Sequence, residues 1–341
     1  MALRFIDGFD HYTTRDQLLY KYNTAGSSSY VVLDDGRRAG SQAVRLYAGS
    51  GYIVKSFDEQ ATWVAGVALK LDALPTGNGA VFMFLDVGGD AQACLCISST
   101  GALILKRGST SGITLATSDE ALQAGKWYYV EGKITIANSG GTFSARINGR
   151  ECASYTGDTR YSTSYEKANA IKMYGMPSAV KIWYDDLYIC DGTGSSHNDY
   201  LGDVRVDTLF PSAAGNATEF TPTGSANNWE NVDDTSPDED TSYNASDTAG
   251  QKDSFGFSDL SALSSTVLGV QANMLVRKDD AGTRILRSLI RTGGTDYEGS
   301  DLSLADSYTN LTQIWMQNPS TAAAWTEAEV NAAEFGYKVQ S

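Results

Sequence analysis

Histidine is almost absent from this chain: His11 and His197 are the only two in 341 residues. A Ser-His-Asp or Cys-His constellation would have to recruit one of them, and neither has a motif around it. His11, in FDHY, reads as a turn residue. The same scarcity argues against zinc, which takes four ligands of Cys or His type, because neither Cys-x-x-Cys nor His-x-x-x-His occurs. Cysteine is also sparse, with four residues, Cys94, Cys96, Cys152 and Cys190, all in the first part of the chain. Cys94 and Cys96 stand two apart in ACLCI, which on a strand places both on one face without the geometry to bridge each other. Buried free thiols are the reading, and they suit a reducing compartment. No stretch approaches the roughly 18 apolar residues of a membrane span. At the N-terminus Asp7 and Asp10 interrupt the apolar run a signal peptide needs, so the expectation is a chain made soluble and not exported, with no membrane insertion. The sequons at Asn216, Asn244 and Asn310 then carry no glycosylation message. No Gly-rich phosphate loop precedes a helix.

Positive charge is missing from one part only. Residues 1–198 hold 19 Asp+Glu against 18 Lys+Arg, whereas residues 199–341 hold 22 against 8. The net charge of −15 therefore sits almost wholly in the second part. Such asymmetry predicts two units, and an acidic surface repels phosphate backbones, so no nucleic-acid partner is expected. The small polar stretch Gly192–Gly202, GTGSSHNDYLG, coincides with the charge change, so the expected units are 1–197 and 198–341.

What the chain does have is the punctuation of a β-sandwich: 34 Gly, only 6 Pro, and short apolar runs closed by Gly, Asn, Asp or Ser. Strands are predicted at Ala43–Tyr47, Tyr52–Phe57, Trp63–Leu71, Ala80–Val87, Ala93–Ile97, Ala102–Lys106, Trp127–Ile136, Thr142–Ile147 and Lys181–Cys190. That many strands in under 200 residues, with no helical period between them, predicts an all-β double-sheet jelly roll. In the second part Val270, Ala272, Met274 and Val276 alternate with Gln271, Asn273 and Arg277, which predicts a strand with one wet face. TEAEVNAAE predicts a short helix with Thr326 as N-cap and Glu327 and Glu329 in its first turn, followed by a last strand Phe335–Val339.

Three stretches of the first part, KWYYVEGKITI with GTFSARINGREC, IWYDDLYICD, and SQAVRLYAGSGYIVKSF, resemble the concanavalin A-like, LamG-type jelly roll over most of residues 1–197. In the second part DVRVDTLFPSAAGN, VLGVQANMLVRKDDAGTR and NPSTAAAWTEAEVNAAEFGYKV resemble C-terminal regions of tailed-bacteriophage virion proteins that carry such a jelly roll. The resemblance implies a concanavalin A-like sandwich followed by a smaller β-sandwich domain with one short helix near the C-terminus. It also implies a virion component that is assembled in the host bacterial cytoplasm and contacts capsid or tail proteins. Homo-oligomers, trimers among them, are what such appendages require.

Site chemistry is thin. Glycosidases on this fold need an acid and a nucleophile on one strand face. The central strand offers Glu131 alone, and Asp185 and Asp186, being adjacent, are expected to point to opposite faces. The expected function is accordingly a non-enzymatic virion structural protein, the alternatives being an adhesin for a host surface glycan and a polysaccharide depolymerase. Trp127 and Tyr129 share a face with Glu131 and are the expected carbohydrate-binding or interface residues, together with Trp229 in the polar ANNWEN loop. No cofactor is expected, apart from calcium as an open case: its oxygen ligands could come from Asp185 and Asp186 or from the acidic loop at Asp233, Asp234 and Asp238.

Overall fold

The computed structural model describes residues 2–161, 163–260 and 266–341. It divides into two compact units, Met1–Val206 and Asp207–Ser341. The first therefore runs past the polar stretch at which the charge balance changes, for a reason given below.

The first unit contains fifteen strands: β1 (Leu3–Asp7), β2 (Thr24–Ala25), β3 (Val31–Asp35), β4 (Gln42–Tyr47), β5 (Tyr52–Gln60), β6 (Thr62–Leu71), β7 (Gly79–Leu85), β8 (Ala91–Ile97), β9 (Ala102–Arg107), β10 (Ile113–Ala121), β11 (Trp127–Thr135), β12 (Gly141–Ile147), β13 (Arg150–Gly157), β14 (Ala168–Tyr174) and β15 (Lys181–Asp191). They form a front sheet in the order β13-β12-β11-β6-β15-β4-β3, with β1 pairing β15, and a back sheet in the order β10-β9-β8-β7-β14-β5-β2. All their pairings are antiparallel. Two such sheets close over one core, as the alternation of apolar residues demands. Trp63, Val67, Leu69, Val130, Ile134, Phe143 and Ile182 of the front sheet meet Phe82, Phe84, Leu95, Leu105 and Ile171 of the back sheet in a single cluster. Fully burying each Phe or Leu contributes about 1.5–3 kcal/mol. All four cysteines are buried and free.

The nine strands expected from apolar alternation are all present, with ends shifted by a few residues. Missing from that expectation are β1, β2, β3, β10, β13 and β14. In β10 and β13 the periodicity is broken by charge or polarity, as ITLATSDEA and RECASYTG show.

The second unit is also all-β. Its strands are β16 (Pro211–Thr218), β17 (Thr221–Thr223), β18 (Tyr243–Ala245), β19 (Lys252–Phe257), β20 (Val270–Val276), β21 (Ile285–Thr292), β22 (Thr295–Glu298), β23 (Leu302–Ser303), β24 (Thr309–Trp315) and β25 (Glu334–Val339). A six-stranded sheet runs β16-β19-β25-β21-β22 with β23 beside β21, and β20 pairs β24 separately. Ile290, Trp325, Val330 and Phe335 make one core cluster, and Met274, Leu286 and Val339 another. The short helix Glu327–Ala332 begins where its cap signal lies: the Thr326 hydroxyl accepts a hydrogen bond from the Glu329 backbone N–H, and the Glu329 carboxylate accepts one from the Thr326 backbone N–H. No helix among the described residues is long and apolar enough to cross a membrane.

Candidate functional site

A jelly roll has two outer faces, and here they differ. On the front sheet, antiparallel register lines up Tyr188, Gly66, Glu131 and Arg146 across β15, β6, β11 and β12. Gly66 has no side chain, and a Cβ there would run into the Tyr188 ring. The ring therefore lies flat across β6, stacked on Tyr129 with 6.4 Å between centroids. From there its hydroxyl donates to Glu131 Oε1 at 2.5 Å.

This face is not wet. Residues 199–206 leave the polar stretch and run back across it. Asp199 pairs with Lys133 at 3.0 Å, and the Tyr200 hydroxyl meets Ser144 Oγ at 2.7 Å. The Arg146 guanidinium lies 4.1 Å from the centre of the Tyr200 ring. The Leu201 backbone N–H donates to the Tyr188 hydroxyl at 3.1 Å, and that of Gly202 to Glu131 Oε1 at 2.9 Å. Asp203 pairs with Arg37 at 2.7 Å, and the Val206 N–H donates to Asp186 at 2.8 Å. Glu131 and Tyr129 are consequently buried, at 0 and 1% exposure, and burial pushes the Tyr129 and Tyr188 hydroxyls well above their ordinary pKa. That strap is why the first unit extends to Val206, and it covers Tyr129 and Glu131, two of the residues expected to bind carbohydrate or form an interface. Only Trp127 remains half-exposed, with the Lys70 ammonium 5.0 Å from its ring.

Asp185 and Asp186 also differ from expectation. A register shift between Asp185 and Tyr188 and a left-handed backbone at Asp186, φ 51°, break the strict alternation. Both carboxylates therefore reach the 37–38 turn. Asp185 accepts from the Arg37 backbone N–H at 2.8 Å, while Asp186 is paired by the Arg37 and Arg38 guanidiniums. Burial, then the charge of Asp186, pushes the Asp185 carboxyl up to about 7. Asp186 is thus neutralised by two arginines, whereas Asp185 meets the Arg37 backbone and holds its proton. Asp234 and Asp238 lie on an exposed loop, sharing Ser242 Oγ at 3.4 and 3.0 Å, with Asp233 half-buried beside them. Among the described residues no group of three or more His, Cys, Asp or Glu is placed to hold a metal ion. Trp229 is half-buried in the turn Asn228–Asn231 of the second unit. His11 lies in a turn, as expected. It sits against Lys21 and buried Asp7, and burial, then Lys21, drives its pKa down to about 3.

The back sheet's outer face has a different make-up. Register lines up Val54, Lys172, Met83, Cys94, Lys106 and Thr114 across β5, β14, β7, β8, β9 and β10. Ala80, Cys94 and Cys96 are fully buried there, and the cluster they form with Ile104, Met83 and Tyr174 draws only on this sheet. Small side chains buried without a third layer mean a trough walled by larger neighbours. One wall is Tyr52 and Tyr174, cross-strand partners whose rings stack at 6.1 Å. The half-buried Lys172 ammonium lies 4.2 and 4.4 Å from the two ring centres. Burial lowers its pKa. No carboxylate among the described residues pairs with it. Lys106, whose backbone lies about 14 Å away at three strand spacings, donates through Nζ to the Gly112 carbonyl and to Thr114 Oγ1. Sequence reasoning missed these residues because β14 was not recognised as a strand. Its signal was the alternation of buried Ile171 and Met173 with Lys172 and Tyr174.

No protein-family model matches the chain, and neither does any curated protein. Among solved structures it is similar to alginate lyase Aly36B, at 14% identity over 54% of this chain and 95% of that one, with a TM-score of 0.41. It is also similar to Trypanosoma rangeli sialidase, at 12% identity over 46% of this chain and 26% of that one, TM-score 0.35. A third is domain 4 of AbnA, a GH43 extracellular arabinanase from Geobacillus stearothermophilus, at 19% identity over 47% and 75%, TM-score 0.34. Likeness at this level is one of fold class. Against the expectation of a non-enzyme, the proteins named are carbohydrate-active ones: a lyase, a sialidase and a domain of an arabinanase. The scarcity of histidine and the lack of a second acid beside Glu131 on its strand remove particular mechanisms, not enzymatic activity as such.

Proposed function

We propose that the first unit acts on an acidic polysaccharide, which it holds along the outer face of the back sheet and depolymerises. The observation that carries this reading is Lys172: a half-buried ammonium between two tyrosine rings, on an open face, with no carboxylate paired to it among the described residues. Tyrosine faces favour its charged form, and a sugar carboxylate would supply the missing partner. Two cations across the trough, Lys172 and Lys106, are far too few for a phosphate backbone, which takes many Lys and Arg contacts. Chemically, pairing a uronate carboxylate with Lys172 acidifies the adjacent C–H bond. A Tyr52 or Tyr174 phenolate takes that proton, a double bond forms as the bond to the glycosidic oxygen breaks, and the same tyrosine hydroxyl returns the proton to the leaving oxygen, with no water consumed. The test is incubation with polygalacturonate or alginate, read as ultraviolet absorbance from unsaturated ends. Absorbance that appears with the parent chain and vanishes in Lys172→Ala supports the reading, and no absorbance with any acidic polysaccharide overturns it.

The sequence resemblance of the second unit supports a companion proposal: the chain is carried on a tailed-phage particle through contacts with capsid or tail proteins, as an oligomer. Gold-labelled antibody on intact particles decides it. Label on head or tail supports carriage, and unlabelled particles with an accessible epitope reject it.

A further inference from the structure

The strap over the front sheet seals its face imperfectly. Glu131 Oε2 and Arg146 Nε are buried there without a hydrogen-bond partner, although the two residues stand directly opposite each other on β11 and β12. His197 Nδ1, just ahead of the strap, is a third such atom. A buried donor or acceptor left unmade is costly, and more so when it belongs to a charged group. A face meant only to be covered would be better lined with apolar side chains. Here it carries an acid, a guanidinium, two stacked tyrosines and, at its edge, a tryptophan.

The strap touches this face in a telling way. It supplies one flat ring, Tyr200, against Arg146, and two donors, the Leu201 and Gly202 N–H groups, to Tyr188 and Glu131. Its flanking anchors are ion pairs whose acids, Asp199 and Asp203, are 65 and 50% exposed, and exposed pairs hold weakly. A flat ring bearing hydrogen-bond donors is also a description of a pyranose. We propose that residues 199–206 are a displaceable strap occupying a second carbohydrate site, built from Glu131, Tyr188, Arg146 and Trp127, whose ligand is an uncharged, hydroxyl-rich sugar. Its hydroxyls donate to both Glu131 oxygens and to Tyr188, and one accepts from Arg146 Nε. The unpaired acceptor of Glu131 repels a sugar carboxylate, so this site and the back-sheet trough take different glycans.

The experiment compares the full chain with Asp199→Ala/Asp203→Ala. Hydrogen exchange at Leu201 and Gly202 reads the strap, and affinity electrophoresis through gels containing laminarin, dextran or xylan reads binding. Losing both exposed pairs should speed exchange at those amides by roughly three- to tenfold and increase retardation in at least one gel. Adding Glu131→Gln should abolish that gain, and adding Lys172→Ala should leave it intact, which keeps this proposal distinguishable from the back-sheet reading. Faster exchange without retardation in any gel would overturn the proposal and leave a water bridging Glu131 and Arg146 as the occupant. Unchanged exchange would overturn it as well, because the strap is then fixed. Should the double variant fail to fold, Asp199→Asn, which preserves side-chain size, answers the same question.

Discussion

The two outer faces of the first unit are built from the same alternation and end in opposite states. On the front sheet Glu131 and Tyr129 point away from the core and are still buried, because residues 199–206 lie over them. On the back sheet Lys172, Tyr52 and Tyr174 point away from the core and stay half-exposed. The difference shows that a period of two decides only which side of a sheet a residue takes. Whether that side meets water depends on chain that returns from elsewhere in the sequence.

The sharpest way to break the comparison is at Gly66. Gly66→Ala places a Cβ against the Tyr188 ring, displaces the Tyr188 hydroxyl from Glu131, and should lower unfolding free energy by about 2–4 kcal/mol. Gly77→Ala, where a Cβ meets nothing within 4 Å, should change little. Urea denaturation of the pair gives the contrast directly. Glu131→Ala comes next: it leaves the buried Tyr188 hydroxyl and the Gly202 N–H without their acceptor and should cost roughly 1–3 kcal/mol by the same measurement.

The third effect depends on pH. Asp185 is packed against Asp186, Arg38, Asp10, the Arg37 backbone N–H and the Ser41 hydroxyl. Folded, it keeps its proton up to about pH 7, against an ordinary value of 3.8. Between those values the folded chain binds the extra proton, so this group's contribution to stability falls as pH rises from about 4 through 7. Asp7 works in another window. Lys21, His11 and its tyrosine hydrogen bonds outweigh burial and lower its pKa, so its contribution is lost only in acid. Melting temperatures at pH 5.5 and 8 should differ less in Asp185→Asn than in the parent chain, and an equal difference in both would reject the assignment.

The smallest stability change is expected on the open face. Lys172→Ala should cost under about 1 kcal/mol, the worth of an exposed cation–aromatic contact, while removing acidic-glycan cleavage. A large loss of stability would make Lys172 part of the fold instead of part of a site.

Much of this architecture was legible beforehand. The Trp63–Leu71 and Lys181–Cys190 runs carry their inward residues plainly, and the Thr326 cap marks its helix to the residue, because these signals are local. The candidate sites were not legible to the same degree. Trp127, Tyr129 and Glu131 were correctly placed on one outward face, yet nothing near them in sequence announces a cover that begins at Asp199. Asp185 and Asp186 should have diverged, and a bulge with one left-handed residue brought them to the same arginines. The Lys172 trough is assembled from five strands, so no local pattern contains it.

The sequence by itself determined the all-β class, the two-unit organisation with acid concentrated in the second, and the inward residues of most strands, since composition and a two-residue period act over short distances. Tertiary structure alone decided which outward face is sealed, which carboxylates are neutralised and where a lysine is left beside aromatic rings without a counter-charge. Those outcomes depend on contacts between residues dozens to more than a hundred positions apart, as between Arg37 and Asp186 or Glu131 and Gly202.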